Sequence, residues 1–218
     1  MGDRHRPSTI GQPWGLPSKG AAGNADGSGD TPPSTYRVNP LPDVLAEDLD
    51  VVFVGINPGL TSAARGHSFA TPGNRMWPAL HRSGFTPRLL RPEDERDLLP
   101  LGLGLTTIVR RPTAKAADLS VEEYVEGGRD LVARMAPLRP RWLALLGVTG
   151  YRLAFGAAGA AIGPQPVRLA GARVWVLPNP SGLNAHYPPE ELAAEFTRFR
   201  LAARIRYPRT GLPSEHDP

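Results

Sequence analysis

The sequence predicts a single α/β domain in which a central, mostly parallel sheet is sandwiched between helices. Short apolar runs of β-branched and aromatic residues alternate with segments of helical pattern along the middle of the chain, and strands that alternate with helices form parallel or mixed sheets. Two of these runs, residues 51–56 and 174–177, are apolar throughout, which is typical of strands buried on both faces.

The first half of the domain is predicted to contain two strands and two helices. The strand at residues 51–56 ends in a turn of proline and glycine. A helix follows at residues 74–83 and stops at Gly84. A proline followed by three acidic residues indicates the first turn of a short helix at residues 92–99, and the apolar run at residues 103–109 predicts the second strand.

The second half begins with the clearest helix, at residues 120–135. Ser120 and Glu123 form a capping box at its start, although the pair Gly127 and Gly128 weakens its middle. The elements predicted after it are a strand at residues 142–146, a helix at 149–155, a hairpin that joins 167–169 to 173–177, and an amphipathic helix at 188–206.

The two ends of the chain have a different composition. Residues 1–42 are rich in Gly, Pro, Ser and Asp and lack periodicity, so they cannot bury enough apolar surface to order themselves. We expect a flexible tail there, a domain at residues 43–206, and a second flexible tail at residues 207–218.

Composition narrows the possible chemistry. The chain has no cysteine, which excludes disulfides, thiolate metal sites, iron–sulfur clusters and a cysteine nucleophile. Its histidines show no metal-ligand spacing, and neither a metal nor a cofactor is predicted. No apolar run is long enough for a signal peptide or a membrane helix, so we expect a cytoplasmic protein, associated with the nucleoid if it binds DNA.

Charge is only a weak guide to function. The net charge is +4 and, of 25 basic residues, all but Lys19 and Lys115 are arginine. Arginine suits phosphate binding, but the base composition of the genome explains this usage equally well.

Two short motifs with an amide side chain beside a proline follow predicted strands. They are GINPG at residues 55–59 and NPSGL at residues 179–183. In open α/β sheets, ligands bind where loops leave the carboxyl ends of neighbouring strands. The two motifs are therefore predicted to border one crevice.

These motifs resemble those of the mismatch-specific uracil and thymine DNA glycosylases of the uracil DNA glycosylase superfamily, in which GINPG forms the base pocket and NPSGL enters the duplex. The resemblance covers residues 51–204. It includes four further segments in order: SFA at residues 68–70, NRMW at 74–77, RPT at 111–113 and GGR at 127–129.

The resemblance implies that Asn57 holds the water that attacks the sugar. Its amide can position a nucleophile but cannot strongly take its proton, so catalysis would depend on placement and electrostatics. The alternative from the residues alone is that Asn57 merely caps the turn before Pro58.

The resemblance also implies a base pocket. Phe69 would stack on the extruded pyrimidine, backbone amides near Ile56 and Phe69 would bind the edge of the base, and Asn179 would line the pocket. Gly59 stands where stricter uracil glycosylases have a bulky aromatic residue, so the pocket would have room for modified pyrimidines. The alternatives are ordinary core packing for Phe69 and a purely backbone role for Gly59.

Contacts with DNA are implied for the second motif. Leu183 would be the apolar wedge that fills the gap left by the flipped nucleotide, with Ser181 and Gly182 beside it; a buried loop anchor is the alternative. Some relatives have Ser-Arg after this leucine, whereas this chain has Asn184 and, two residues on, His186. This departure weakens the case for an arginine contact with the opposite strand. Asn184 and His186 are predicted to contact DNA instead.

Two residues near the first motif are predicted to bind backbone phosphates. These are Ser62 and Arg75. Arg75 could equally pair with a carboxylate and hold the start of its helix.

Together these residues predict a monofunctional DNA glycosylase that acts as a monomer on double-stranded DNA. It would remove uracil, most readily from G:U mismatches, and modified pyrimidines as well. Lys115 is the only lysine of the domain, so lyase activity is not expected. The alternatives are a non-catalytic reader of distorted or mismatched DNA and, less favoured, a nucleotide-phosphate-binding enzyme, since the chain has neither a P-loop nor a dinucleotide-binding motif.

Overall fold

The computed structural model describes residues 41–205, and a five-stranded sheet lies at their centre. Its strands are β1 (Val51–Gly55), β2 (Leu103–Thr107), β3 (Trp142–Leu146), β4 (Gly163–Leu169) and β5 (Ala172–Leu177). Their order across the sheet is β2-β1-β3-β5-β4. β1 pairs in parallel with β2 and β3, β3 pairs in parallel with β5, and β4 is antiparallel to β5. The predicted mostly parallel sheet is confirmed.

Helices cover both faces of the sheet. They are α1 (Leu60–Arg65), α2 (Met76–Arg82), α3 (Val121–Met135), α4 (Val148–Phe155) and α5 (Pro189–Ala202), with 3₁₀ helices at Pro92–Leu101 and Ala116–Asp118. Alternate side chains of β1 point to opposite faces. Phe53 packs in a core with α2 and α5, and Val52 packs in a second core with α3 and α4. The arrangement is the predicted sandwich of helices around a sheet.

Four elements differ from the sequence-based prediction, and one of them is the 3₁₀ helix at Ala116–Asp118, which was not predicted. α1 has no predicted counterpart, because only Ser62 of its six residues is buried and no apolar stripe marks it. The helix predicted at residues 92–99 is a 3₁₀ helix. β4 begins at Gly163, earlier than the predicted hairpin, because its two prolines disguise a strand at the edge of the sheet.

The pair Gly127 and Gly128 does not interrupt α3. A Cβ atom at Gly127 would lie 2.7 Å from the carbonyl oxygen of Ile108, and one at Gly128 would lie 2.8 Å from that of Ala154. Neither distance admits a side chain. The two glycines therefore allow α3 to approach the segment after β2 and the end of α4.

The predicted tails at residues 1–42 and 207–218 lie outside the described residues, except for Leu41 and Pro42. Leu41 is 9% exposed and belongs to the buried core, so it is not part of a tail. Val44 then forms an antiparallel bridge with Leu105 along the outer edge of β2. Among residues 41–205, no helix has both the length and the apolar character needed to cross a membrane.

The carboxyl ends of β1, β3 and β5 lie at the same edge of the sheet, because these strands are parallel. β3 lies between the other two and passes into α4 through one residue, Gly147, which has a φ of 115°. The N–H of Gly147 donates to the carbonyl oxygen of Leu177 at 2.8 Å. Because this connection is so short, the loops after β1 and β5 face each other across it.

Candidate active site

A cavity of about 530 Å³ lies where the loops after β1 and β5 meet. This volume falls within the range of small-molecule sites, roughly 300–1,000 Å³. Arg75, Asn184 and His186 do not line it. The predicted site residues that do are Ile56, Asn57, Gly59, Ser62, Phe69, Asn179, Ser181, Gly182 and Leu183.

The side-chain amide of Asn57 is held at one edge of this cavity. Its Nδ2 donates to the carbonyl oxygen of Arg111 at 2.9 Å and to the hydroxyl oxygen of Thr113 at 2.7 Å. Because a carbonyl can only accept, the nitrogen must face Arg111 and Oδ1 must face away from it. Among residues 41–205 no donor contacts Oδ1. This oxygen is therefore available to accept a hydrogen bond from water.

Thr113 orients that amide and was not among the predicted site residues. Its hydroxyl donates to the carbonyl oxygen of Lys115 at 2.7 Å, which leaves the hydroxyl oxygen to accept from Asn57. Its backbone N–H donates to the carbonyl oxygen of Pro58 at 3.1 Å, and Thr113 bridges in parallel with Gly59. Thr113 is buried. The one sequence signal for its role was its place in the RPT segment.

The segment that carries Thr113 is tied to the start of α3. The Nε and a terminal nitrogen of Arg111 donate to the two carboxylate oxygens of Glu123 at 2.6 and 2.9 Å. Hydrogen bonding from Arg111, and then from the backbone N–H of Ser120, lowers the pKa of Glu123 to about 2. Ser120 and Glu123 also form the predicted capping box of α3.

Phe69 lines the cavity in an unusual backbone conformation. Its φ is 54°, in the left-handed region that costs a residue with a side chain roughly 1–2 kcal/mol. Its ring lies on Gly55, where a Cβ atom would be 3.3 Å from the ring. The ring also packs against the core, as the alternative of core packing expects, and its stacking on a base stays a prediction.

Both amides beside Phe69 are fixed by buried side chains. The N–H of Ser68 donates to Oε2 of Glu95 at 2.8 Å, and the N–H of Ala70 donates to Oγ of Ser62 at 3.0 Å. Within residues 41–205 no acceptor contacts the N–H of Phe69. Phe69, which lines the cavity, therefore has a backbone N–H between two fixed amides that has no acceptor in this part of the chain.

Glu95 and Ser62 hold the backbone on either side of Phe69. Glu95 is 6% exposed, and its second oxygen lies 3.2 Å from Nδ1 of His67. Ser62 is 3% exposed, and its hydroxyl is used by Ala70. Its hydroxyl is buried against the backbone of Ala70, and a contact of Ser62 with a DNA phosphate stays a prediction. The sequence shows three acidic residues in a row at the start of the 3₁₀ helix Pro92–Leu101. It gave no sign that Glu95 is the buried one.

Gly59 and Ile56 shape the cavity next to Asn57. A Cβ atom at Gly59 would lie 3.2 Å from Oγ1 of Thr71, so the glycine allows these two segments to approach each other closely. The side chain of Ile56 packs against the start of α4, where Cβ atoms on Gly147 and Gly150 would lie 3.4 and 2.9 Å from it. The role of the Ile56 backbone in base binding stays a prediction.

The loop of residues 179–187 is braced by its own side chains. Oδ1 of Asn179 accepts from the N–H of Ser181 at 3.0 Å. Asn184 donates to the carbonyl oxygen of Asn179 at 2.9 Å and accepts from the N–H of His186 at 3.2 Å. Leu183 lies at the tip of this loop and is 87% exposed, so the alternative of a buried anchor is wrong. A contact of His186 with DNA stays a prediction.

Arg75 faces this loop. Its guanidinium donates to three backbone carbonyl oxygens of residues 181–187. The predicted partners of Arg75 were a phosphate or a carboxylate, but these N–H groups of its guanidinium already have backbone acceptors. Among residues 41–205, no three histidine or acidic side chains are grouped as metal ligands.

Two comparisons with known proteins bear on this site. Residues 42–200 match the family model of the uracil DNA glycosylase superfamily. Among solved structures, the fold is similar to the solution NMR structure of a candidate uracil DNA glycosylase from Methanosarcina acetivorans, with a TM-score of 0.52 and 18% identity over 75% of this chain and 98% of that chain. At this identity the structural similarity shows the fold alone.

Proposed function

Because the chain belongs to the uracil DNA glycosylase superfamily, we propose that it is a monofunctional DNA glycosylase that excises uracil from double-stranded DNA. The preferred substrate is a G:U mismatch. The nucleotide is flipped into the cavity, where water attacks its anomeric carbon. We propose that the protein acts as a monomer, because one chain supplies both loops of the cavity.

The observation that carries this proposal is the state of the Asn57 amide. Its nitrogen is held by Arg111 and Thr113, while its oxygen has no protein donor among residues 41–205, and the residue lines the cavity. An amide that only capped a turn would not need two partners more than fifty residues away in sequence. The geometry suits an acceptor that orients one water molecule.

The reaction follows from this placement. The water oxygen forms a bond to the anomeric carbon, and the bond from that carbon to the base nitrogen breaks. The bonding electrons leave with the base, and the water proton passes to solvent. Asn57 accepts a hydrogen bond from the water but does not take its proton, while the free N–H of Phe69 is suited to stabilise the charge that grows on the base.

Base flipping sets the preference among duplexes. Leu183 is apolar and exposed at the loop tip, as is appropriate for a side chain that fills the gap in a base stack. A mismatched pair opens at lower cost than a matched one, which favours uracil opposite guanine. Gly59 lines the cavity without a side chain, which extends the proposed range to modified pyrimidines.

An incision assay tests the proposal. Labelled duplexes with one uracil opposite guanine or adenine, and the uracil strand alone, are incubated with the full-length protein and then heated in alkali, which breaks DNA at abasic sites. We expect breaks at the uracil, fastest opposite guanine, and none before alkali. DNA binding without breaks on any of the three substrates would support the non-catalytic reader instead.

A further inference from the structure

One arginine connects the two sides of the cavity. Arg75 precedes α2, and its backbone N–H donates to the carbonyl oxygen of Pro180 at 2.9 Å. Its guanidinium donates to the carbonyl oxygens of Asn184 at 2.8 Å, of Tyr187 at 2.6 Å and of Ser181. A single residue thus makes four hydrogen bonds to the loop that carries Leu183.

The charge of this arginine is directed entirely at backbone carbonyls. Within the described residues 41–205, no carboxylate forms an ion pair with Arg75, and its Nε is buried without a partner. Carbonyl oxygens that converge on one point repel one another unless a cation lies between them. The planar guanidinium has enough donors in fixed directions to hold three of them at once, which a lysine ammonium on a flexible stem does less well.

The other braces of the loop act within it. The hydrogen bonds of Asn179 and Asn184 join loop residues to each other. Gly182 lies against the backbone before α2, since a Cβ atom on it would be 2.6 Å from the carbonyl oxygen of Gly73. That contact is close packing, whereas Arg75 supplies directional bonds between the loop and the body of the domain.

We propose that Arg75 is a positioning residue that holds the loop of residues 180–187 in its inserting conformation before DNA arrives. Leu183 is then presented to the duplex without the entropic cost of ordering its loop on binding. The inference rests on the proposed base-flipping function, and it replaces the phosphate contact predicted for Arg75.

The test compares single-turnover excision on a G:U duplex and on single-stranded uracil DNA, because only the duplex needs a wedge. The variants are Arg75→Met, Arg75→Lys, Leu183→Ala and the double variant Arg75→Met with Leu183→Ala. Arg82→Met is the matched control, since Arg82 is the last residue of α2, the helix that Arg75 precedes, and forms an exposed ion pair with Glu190.

We expect Arg75→Met to slow excision from the duplex by about 10- to 100-fold and to change the single-strand rate by less than about threefold. Lysine should not restore the duplex rate. The double variant should be no slower than the slower single variant, because both changes remove the same wedge. Arg82→Met should match the wild type.

Three results would overturn the inference. Equal losses on both substrates would indicate general damage to the fold, and multiplied losses in the double variant would show that Arg75 acts independently of Leu183. The third result has two parts: Arg75→Lys restores the duplex excision rate, and Arg75→Met reduces the slope of log affinity against log salt by about 0.9. Together they would show that Arg75 binds a phosphate.

A second readout does not depend on activity. Amide hydrogen exchange of residues 181–187 in the DNA-free protein should be faster in Arg75→Met than in Arg82→Met, by about threefold or more. Unchanged exchange would refute the proposed positioning. If the expected difference in exchange is found but the wild-type protein excises no uracil, the proposed function is refuted. Arg75 would still be the residue that holds the loop.

Discussion

Replacing Thr113 by valine removes one hydroxyl and little volume. The change deletes the acceptor of the Asn57 amide and the donor to the Lys115 carbonyl, both at 2.7 Å. A buried group without a partner costs about 1–3 kcal/mol. Because Asn57 and Lys115 are partly accessible, we place the sum near 2 kcal/mol, which lowers the Tm of a domain of this size by roughly 4–8 °C.

The same change should slow catalysis. In Thr113→Val the Asn57 amide keeps its hydrogen bonds to the carbonyl oxygens of Arg111 at 2.9 Å and of Pro58 at 3.3 Å. It loses the shortest of its three contacts, so its oxygen is held less firmly in one direction. A loss of about 1.4 kcal/mol in transition-state stabilisation corresponds to a tenfold slower reaction. We therefore expect a single-turnover rate about 10-fold lower for Thr113→Val, with DNA affinity unchanged.

The assay is excision from a G:U duplex at saturating protein and at a temperature well below the lower Tm. Thr113→Ser is the control, since it keeps the hydroxyl and should retain most of the rate. In an Asn57→Ala background, Thr113→Val should cause no further loss. A wild-type rate for Thr113→Val, despite a lowered Tm, would refute the idea that Thr113 orients Asn57.

Three other perturbations probe neighbouring parts of the account. Glu95→Ala leaves the Ser68 N–H buried without an acceptor, so it should lower stability by about 1–3 kcal/mol and slow excision from single-stranded and duplex DNA alike; loss on the duplex alone would contradict its role in holding the backbone beside Phe69. Gly127→Ala should lower Tm although alanine favours helices, because its Cβ would lie 2.7 Å from the Ile108 carbonyl oxygen; a raised Tm would refute the close packing. The stability that Glu123 supplies is fully present above its ordinary pKa of 4.5 and is lost as the pH falls towards its folded value of about 2. The difference in Tm between wild type and Glu123→Gln should therefore shrink over that interval, and a constant difference would contradict the lowered pKa.

The sequence was informative about the sheet because burial leaves a local pattern. The runs at residues 51–56 and 142–146 contain the strands that form there, since a strand buried on both faces is apolar at successive positions. The run at residues 103–109 contains β2, although Thr106 and Thr107 interrupt its apolar residues. Parallel pairing then places the carboxyl ends of these strands at one edge. For the same reason Asn57 and Asn179 could be expected to share a crevice.

The parts that were missed depend on contacts between distant segments. Thr113 meets Asn57 across 56 residues of sequence, and Arg75 meets the Tyr187 carbonyl across 112. No local pattern records such a hydrogen bond, because its partner is set by how the loops pack. Ser62 is polar and belongs to a helix too short to show a stripe, so its burial was equally hidden.

The most direct measurement is the single-turnover excision rate of Asn57→Ala on a G:U duplex, taken together with its affinity for the same DNA. We predict a rate at least about 100-fold below the wild type, with affinity unchanged, because the amide oxygen positions water and does not hold the duplex. An Asn57→Ala protein that excises uracil at the wild-type rate would contradict this prediction.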